Sequence, residues 1–310
     1  TTGISYYEVC KQALLSGLLY YFSIFMVVHL ESKRLGLERI PKDYLKSGGY
    51  LLARIYLISP IIVILAFIIM KYTPFLAAFV GICATFLLSF LRKETMLSPK
   101  RLVRALAEGA QNAIMTALAC SCVGIVAAAV IYTGMGQKMT TLVMAVASSS
   151  IYIAPVLTML ICIALGMGVP AVPAYVVTTV ITLPILTKLG FSGLGPHLFV
   201  LYYAVIASIT PPVAVSAYAA ASIAGAKPME SSLKAAKAAF VGFIVPFIFL
   251  FNDALLMQGS LSEIAYSLLI SVIIVILGSI TLVGYFRSQV SIWGRLLCAL
   301  AVAALIVVLI

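Results

Sequence analysis

The stretch GMGVPAVPAYVV at 166–177 decides how this chain is read, together with a second of the same character, SITPPVAVSAYAAASIAG at 208–225. Both are broken by glycine and proline inside sequence that is otherwise apolar. In lipid each unpaired backbone N–H or C=O costs several kcal/mol, so backbone that leaves the helical path must be buried in protein or line a polar cavity. Two such breaks in succession point to discontinuous helices that hold a substrate or coupling ion near the middle of a membrane.

Composition agrees with that setting. Of 310 residues, 64% are hydrophobic and 9% charged, against roughly 25% charged in a soluble domain. Apolar runs able to cross about 30 Å of hydrocarbon are read at 13–30, 54–70, 74–91, 112–133, 236–257, 264–286 and 292–310. No cleavable signal is visible, because Glu8 and Lys11 stand where a basic region would precede an apolar core. A chain that opens on TTGISYYEV reads as a piece of a longer protein.

The net charge is +11, and its placement argues against nucleic acid. Lys33, Arg34, Arg39, Lys42, Lys46 and Arg54 fall in one loop; Arg92, Lys93, Lys100, Arg101 and Arg104 fall in another. Two spans separate these loops, so both lie on one side, which the positive-inside rule makes cytoplasmic. The six cysteines show no metal or redox spacing and read as small buried hydrophobes.

Ser98-Pro99 marks a helix start, and 100–111 reads as an amphipathic arm along the interface before a span at 112–133. Residues 139–165 and 171–190 flank the first break. One straight helix over both would run about 75 Å at 1.5 Å per residue. Two full spans or a hairpin that enters and returns would each fit; Gly166, Gly168 and Pro170 favour the hairpin, with its tip at Gly166–Pro170. At the second break a helix stops at Thr210, because Pro211 disfavours the α conformation before it, and a new helix can start at Pro211 or Pro212. A faint echo links Gly3, followed five residues on by Glu8, to Gly225, followed five residues on by Glu230.

Gly166, Met167, Gly168, Val169 and Pro170 at the first tip, and Ser208, Ile209, Thr210, Pro211 and Pro212 at the second break, are the candidate site residues. Their carbonyls and hydroxyls suit a hard cation such as Na⁺, with Gly166, Gly168, Ser208 and Thr210 as the ion candidates; the free N–H groups of a half-helix after Pro170 suit a carboxylate. Acidic residues are nearly absent from the spans, and Asp253 is read near a helix end in a solvated or capping role. That shortage favours sodium held by neutral oxygens over proton coupling. His29 and His197 read as interfacial. Nothing resembles the residue set of an intramembrane enzyme, and no phosphate-binding loop is present.

The segments GIVAAAVIYTGMG (124–136), LGMGVPAVPAYVVTTVITLPILTKLGF (165–191), ITPPVAVSAYAAASIAGA (209–226) and VPFIFLFNDALLMQG (245–259) resemble the large membrane subunit of tripartite ATP-independent periplasmic (TRAP) transporters, in its fused-permease branch. The resemblance implies an all-α polytopic elevator-type transporter of two inverted repeats, each with a re-entrant helical hairpin and a broken helix. Here one of the two is present. It further implies a sodium-driven importer of small organic acids (carboxylates) in the cell inner membrane. Its partners would be a periplasmic substrate-binding protein and a small membrane subunit or its fused equivalent. Three departures stand out: the first repeat's hairpin and broken helix have no counterpart, Ala171 stands where Thr is common, and Asp253 replaces a Pro. Trp293 and Arg295 open a last span similar to the extra C-terminal helix of the fused branch. The expected organisation is scaffold spans, basic cytoplasmic loops and arm over 1–111, a second-repeat transport region over 112–257, and extra spans over 258–310. A binding-protein-independent elevator-type anion transporter and a non-transporting membrane scaffold are the alternatives.

Overall fold

The computed structural model describes residues 3–37, 55–90, 96, 98–147 and 151–310. Arg39, Lys42, Lys46, Arg54, Arg92 and Lys93 of the two basic loops lie outside the described residues. The described chain is helical, and six of its helices are long and apolar enough to cross a membrane. It forms two compact units, one of residues 1–11 and 37–114, the other of residues 12–36 and 115–310.

In the first unit α2 (Ser59–Ile69) and α3 (Pro74–Ser89), which fall within the apolar runs read at 54–70 and 74–91, form a tight pair. Lys71 turns the chain with φ +63°, and the Thr73 hydroxyl accepts the Leu76 N–H at 3.4 Å, with Pro74 next in line as the first helical residue. The Ile64 side chain lies against Gly81, which brings the two helices close.

The arm and span expected at 100–111 and 112–133 are one helix, α4 (Pro99–Tyr132). Ser98 caps it as expected, accepting the Arg101 N–H at 3.4 Å. Nothing at Gln111-Asn112 removes an N–H or forces a turn, so the helix continues. Its apolar side chains Ile114, Leu118 and Ile125 are exposed, and so are Cys120 and Cys122, a correction to the reading of all six cysteines as buried. Among the six, Cys162 is buried and the remaining three are half-buried.

The second unit is built around α1 (Tyr6–Arg34), α8 (Gly195–Ile206), α10 (Pro228–Ala239), α11 (Val245–Phe251), α12 (Leu261–Val283) and α13 (Ile292–Leu309). Tyr202 and Tyr203 of α8 each donate a hydroxyl hydrogen to the 3-10 turn between α10 and α11, to the carbonyls of Gly242 and Phe243. Gly242 lies against Tyr20 and Ser23 of α1. The span expected at 236–257 runs instead from Pro228 to Phe251. It starts earlier because α10 is amphipathic, with Ser232 and Ala239 buried and Lys234 and Lys237 exposed. It ends earlier because Asn252 leaves the helix and its side chain accepts the Ala254 N–H at 3.0 Å. Asp253 is exposed, as expected, while the capping falls to Asn252.

Basic side chains gather at one end of this unit. Arg34, Lys234 and Lys237 share one end with Val283, and Arg295 donates there to the Thr281 carbonyl at 2.9 Å. Asn252 and Asp253 mark the other, where Asn252 donates to the Leu309 carbonyl at 2.9 Å and Gln258 to Gln12 at 3.0 Å.

Candidate functional site

The expected segment 139–165 resolves into α5 (Met135–Ala147) and α6 (Ile153–Gly166). Pro155, with no N–H to give, sits in the first turn of α6, where none is required. The entering arm of the hairpin is therefore α6 alone. Met167–Pro170 turns the chain, and α7 (Ala171–Lys188) returns, with Pro170 just outside its first turn. Both arms begin and end beside one residue: Phe251 meets Tyr152 at 5.3 Å and Phe191 at 5.1 Å. α6 and α7 thus leave the Asp253 end and come back to it.

The turn lies deep. Gly166 meets α8 so closely that a Cβ there would stand 2.8 Å from the Ala204 carbonyl oxygen and 2.9 Å from Ala207 Cβ. Tyr202, a short way back along α8, meets Tyr20 at 5.5 Å, and Tyr20 is the midpoint of the 29-residue α1. Along α8 the contact of the turn with Ala204 and Ala207 lies about 3–7.5 Å from Tyr202 at 1.5 Å per residue.

α8 ends in a 3-10 turn, Ala207–Ile209, and Thr210 is extended. The next helix, α9 (Val215–Ala224), starts at Val215 and not at Pro211 or Pro212. The reason is Ala214, whose φ of +32° and ψ of 48° are left-handed and cannot continue into a right-handed helix. The Tyr218 hydroxyl reaches back to the Pro212 carbonyl and holds the break against α9.

Prolines determine which carbonyls are left without partners. In a helix the carbonyl of residue i accepts from the N–H of residue i+4. Pro173 removes the donor for Val169, and Pro211 and Pro212 remove the donors for Ala207 and Ser208. Ala207 is served by the Thr210 N–H at 3.2 Å. Among the described residues no backbone N–H serves the carbonyls of Met167, Gly168, Val169 or Ser208, and the N–H groups of Ala171 and Val172 donate to no backbone acceptor.

Gly168, Val169, Pro170, Ala171 and Ser208 line one cavity of about 300 Å³, together with Ala204, Val205, Val215 and Ser216. Of the sequence-predicted residues it gathers Gly168, Val169, Pro170 and Ser208. Gly166 instead seats the turn on α8, and Gly168 takes φ +74°, where a Cβ would meet Val213 at 3.1 Å. Met167, Ile209, Thr210, Pro211 and Pro212 are not among its described lining residues. The Thr210 hydroxyl donates back to the Ile206 carbonyl at 3.1 Å, whereas the Ser208 hydroxyl makes no hydrogen bond among the described residues. Ser216 and Ala171 were not read as site residues; the signal for Ser216 is its place in the first turn of the helix after the break. His197, read as interfacial, is hydrogen-bonded to the Tyr175 hydroxyl at 2.8 Å.

The described lining carries no carboxylate, imidazole or thiol, and among the described residues no cluster of such groups could hold a metal. Neutral oxygens at one side and the N-terminus of α7 at the other fit a singly charged hard cation and an anion.

The chain matches the family described as tripartite ATP-independent periplasmic transporter, DctM component, over residues 1–264. The chain belongs to this family. No curated protein and no solved structure gives a match. DctM is a transporter family and not an enzyme family, so the chain is a multi-pass TRAP permease subunit. The matched region takes in the turn, the break and the cavity; residues 265–310, with nearly all of α12 and the whole of α13, lie beyond it.

Proposed function

We propose that this DctM permease imports small organic acids (carboxylates) across the cell inner membrane, driven by a sodium gradient. It receives substrate from a periplasmic binding protein and works with a small membrane subunit or its fused equivalent. The observation that carries the reading is that the 168–171 turn and Ser208 line one cavity, where Val169 and Ser208 have carbonyls stripped of donors by proline and Ala171 opens α7 with its N–H unpaired by backbone. The carbonyls and the Ser208 hydroxyl suit sodium, and the helix N-terminus suits the carboxylate.

In this reading α6 and α7 are a re-entrant hairpin, because they leave and return to one end and turn near the depth of Tyr20. Hairpin and broken helix move together as the carrying part of an elevator. The neutral lining matters for coupling. Without a carboxylate the cavity has little to offer a proton, while an anion and a sodium ion bound together offset one another's charge.

The test is uptake of radiolabelled carboxylates into proteoliposomes holding the full permease, with and without a sodium gradient and a candidate binding protein. Uptake that needs both supports the proposal. Uptake that needs sodium alone favours a transporter that works without a binding protein. No uptake across a broad carboxylate panel favours a scaffold role.

A further inference from the structure

A second cavity, of about 520 Å³, opens at the basic end between the last two turns of α1 and the C-terminal half of α10. Its floor is Val27 and Val283, two buried residues of the unit's core, with half-buried Ala238 packed against that core. Its rim carries three cations, Arg34, Lys234 and Lys237, against one carboxylate, Glu31. Arg34 is already engaged by Glu31, donating from Nε at 2.9 Å and from its terminal nitrogen. Lys234 and Lys237, three residues apart on one helix face, form no ion pair or hydrogen bond among the described residues.

We propose that this cleft binds an anionic phospholipid, with the phosphate between Lys234 and Lys237 and an acyl chain on the valine floor. Two unpaired ammoniums at the mouth of an apolar cleft leave positive charge that a phosphodiester neutralises. The cleft also lies where membrane-spanning helices end in charged sequence, which is the depth of a headgroup. Below it α1 presents Phe25 and Val28, 62% and 52% exposed, so the floor continues down a face that acyl chains can cover. A soluble anion would have no use for that apolar continuation. The site lies apart from the cavity at the hairpin turn and shares no lining residue with it.

Native mass spectrometry of the full permease in neutral detergent, titrated with phosphatidylglycerol, phosphatidylcholine or inorganic phosphate, tests this. Wild-type protein should retain phosphatidylglycerol in preference to phosphatidylcholine. The Lys234→Gln/Lys237→Gln double variant should bind it about 30-fold more weakly, the factor for two basic side chains at an anionic headgroup layer. Lys227→Gln should change nothing, because that ammonium lies 3.0 Å from Glu230 and outside the cleft. Ala235→Trp, which fills the cleft and keeps both ammoniums, should also reduce lipid retention. Phosphatidylglycerol binding within twofold of wild type in the double variant would overturn the assignment. So would unchanged retention in Ala235→Trp, equal retention of phosphatidylcholine, or displacement of the lipid by inorganic phosphate at matched concentration.

Discussion

Gly166→Ala probes whether the seat of the hairpin turn on α8 is as tight as the geometry requires. The added methyl would stand 2.8 Å from the Ala204 carbonyl oxygen, 2.9 Å from Ala207 Cβ and 3.2 Å from Ala204 Cα. Two of these are backbone atoms and the third is a Cβ, so no rotamer change relieves the clash. α6 and α8 would have to part by about 0.6–1 Å to recover ordinary contact. Overpacking of this kind costs about 1–3 kcal/mol, and the gain from replacing glycine at the last residue of a helix is at the low end of about 0.5–1 kcal/mol. The expected net loss is about 1–2 kcal/mol. At about 2 °C per kcal/mol for a chain of this size, the Tm of the purified permease should fall by about 2–4 °C. The same displacement moves Gly168 and Val169 away from Ser208, so the sodium concentration for half-maximal uptake should rise; each 1 kcal/mol lost from the ion-bound state is about fivefold. Gly124→Ala is the control. Gly124 lies within α4 with nothing within 4 Å of an added Cβ, and its Tm should hold or rise. A Gly166→Ala protein that melts with or above wild type would refute the reasoning.

Ser208→Ala should weaken sodium activation of uptake without changing Tm or gel-filtration behaviour, because its hydroxyl lines the cavity and has no partner to lose. Thr210→Val should weaken it less, since that hydroxyl donates to the Ile206 carbonyl; an unchanged sodium curve in either variant removes that residue from the ion site. Gly168→Leu should abolish uptake, because φ +74° disfavours any side chain and Val213 occupies the adjacent space; wild-type rates would count against the turn as the carrying element. Tyr203→Phe removes the hydroxyl of a fully buried tyrosine from the half-buried Phe243 carbonyl and should cost about 1–3 kcal/mol. An unmoved Tm would show that this bond does not tie α8 to the turn before α11.

Punctuation made most of the fold legible. Pro74, Pro99 and Pro228 each open a helix where the sequence allows one, and the pair α2–α3 turns at Lys71–Pro74. Elements whose ends depend on a single side chain were harder. The end of α11 is set by the Asn252 cap, and hydropathy alone carries the apolar run on through Leu255 and Leu256. The start of α9 is set by a left-handed alanine, which no pattern of residue types announces. At the site the residue types pointed to the two breaks but could not rank their members. Gly166 reads like Gly168, yet one serves packing and the other lines the cavity. Ser208 and Thr210 both carry hydroxyls, and the difference between them is whether a carbonyl one turn back claims the hydrogen.

The echo between Gly3 and Gly225 extends beyond spacing. Both glycines are left-handed, with φ of +69° and +63°. Each stands three residues before a helix, and the third residue of that helix is acidic, Glu8 in α1 and Glu230 in α10. A lysine pairs with each carboxylate, Lys11 at 3.3 Å and Lys227 at 3.0 Å. The helices run in opposite directions: α1 passes from Gln12, beside Gln258, to Arg34 at the basic end, whereas α10 starts at that end and leads to Gly242 beside Tyr20. The turn and the acidic third residue recur, whereas the rest differs: the Ser5 hydroxyl accepts the Glu8 N–H before α1, no side chain caps α10, and the lysine follows one carboxylate and precedes the other. The two helices meet where α10 gives way to its 3-10 turn, with Gly242 on Tyr20 and Ser23 of α1.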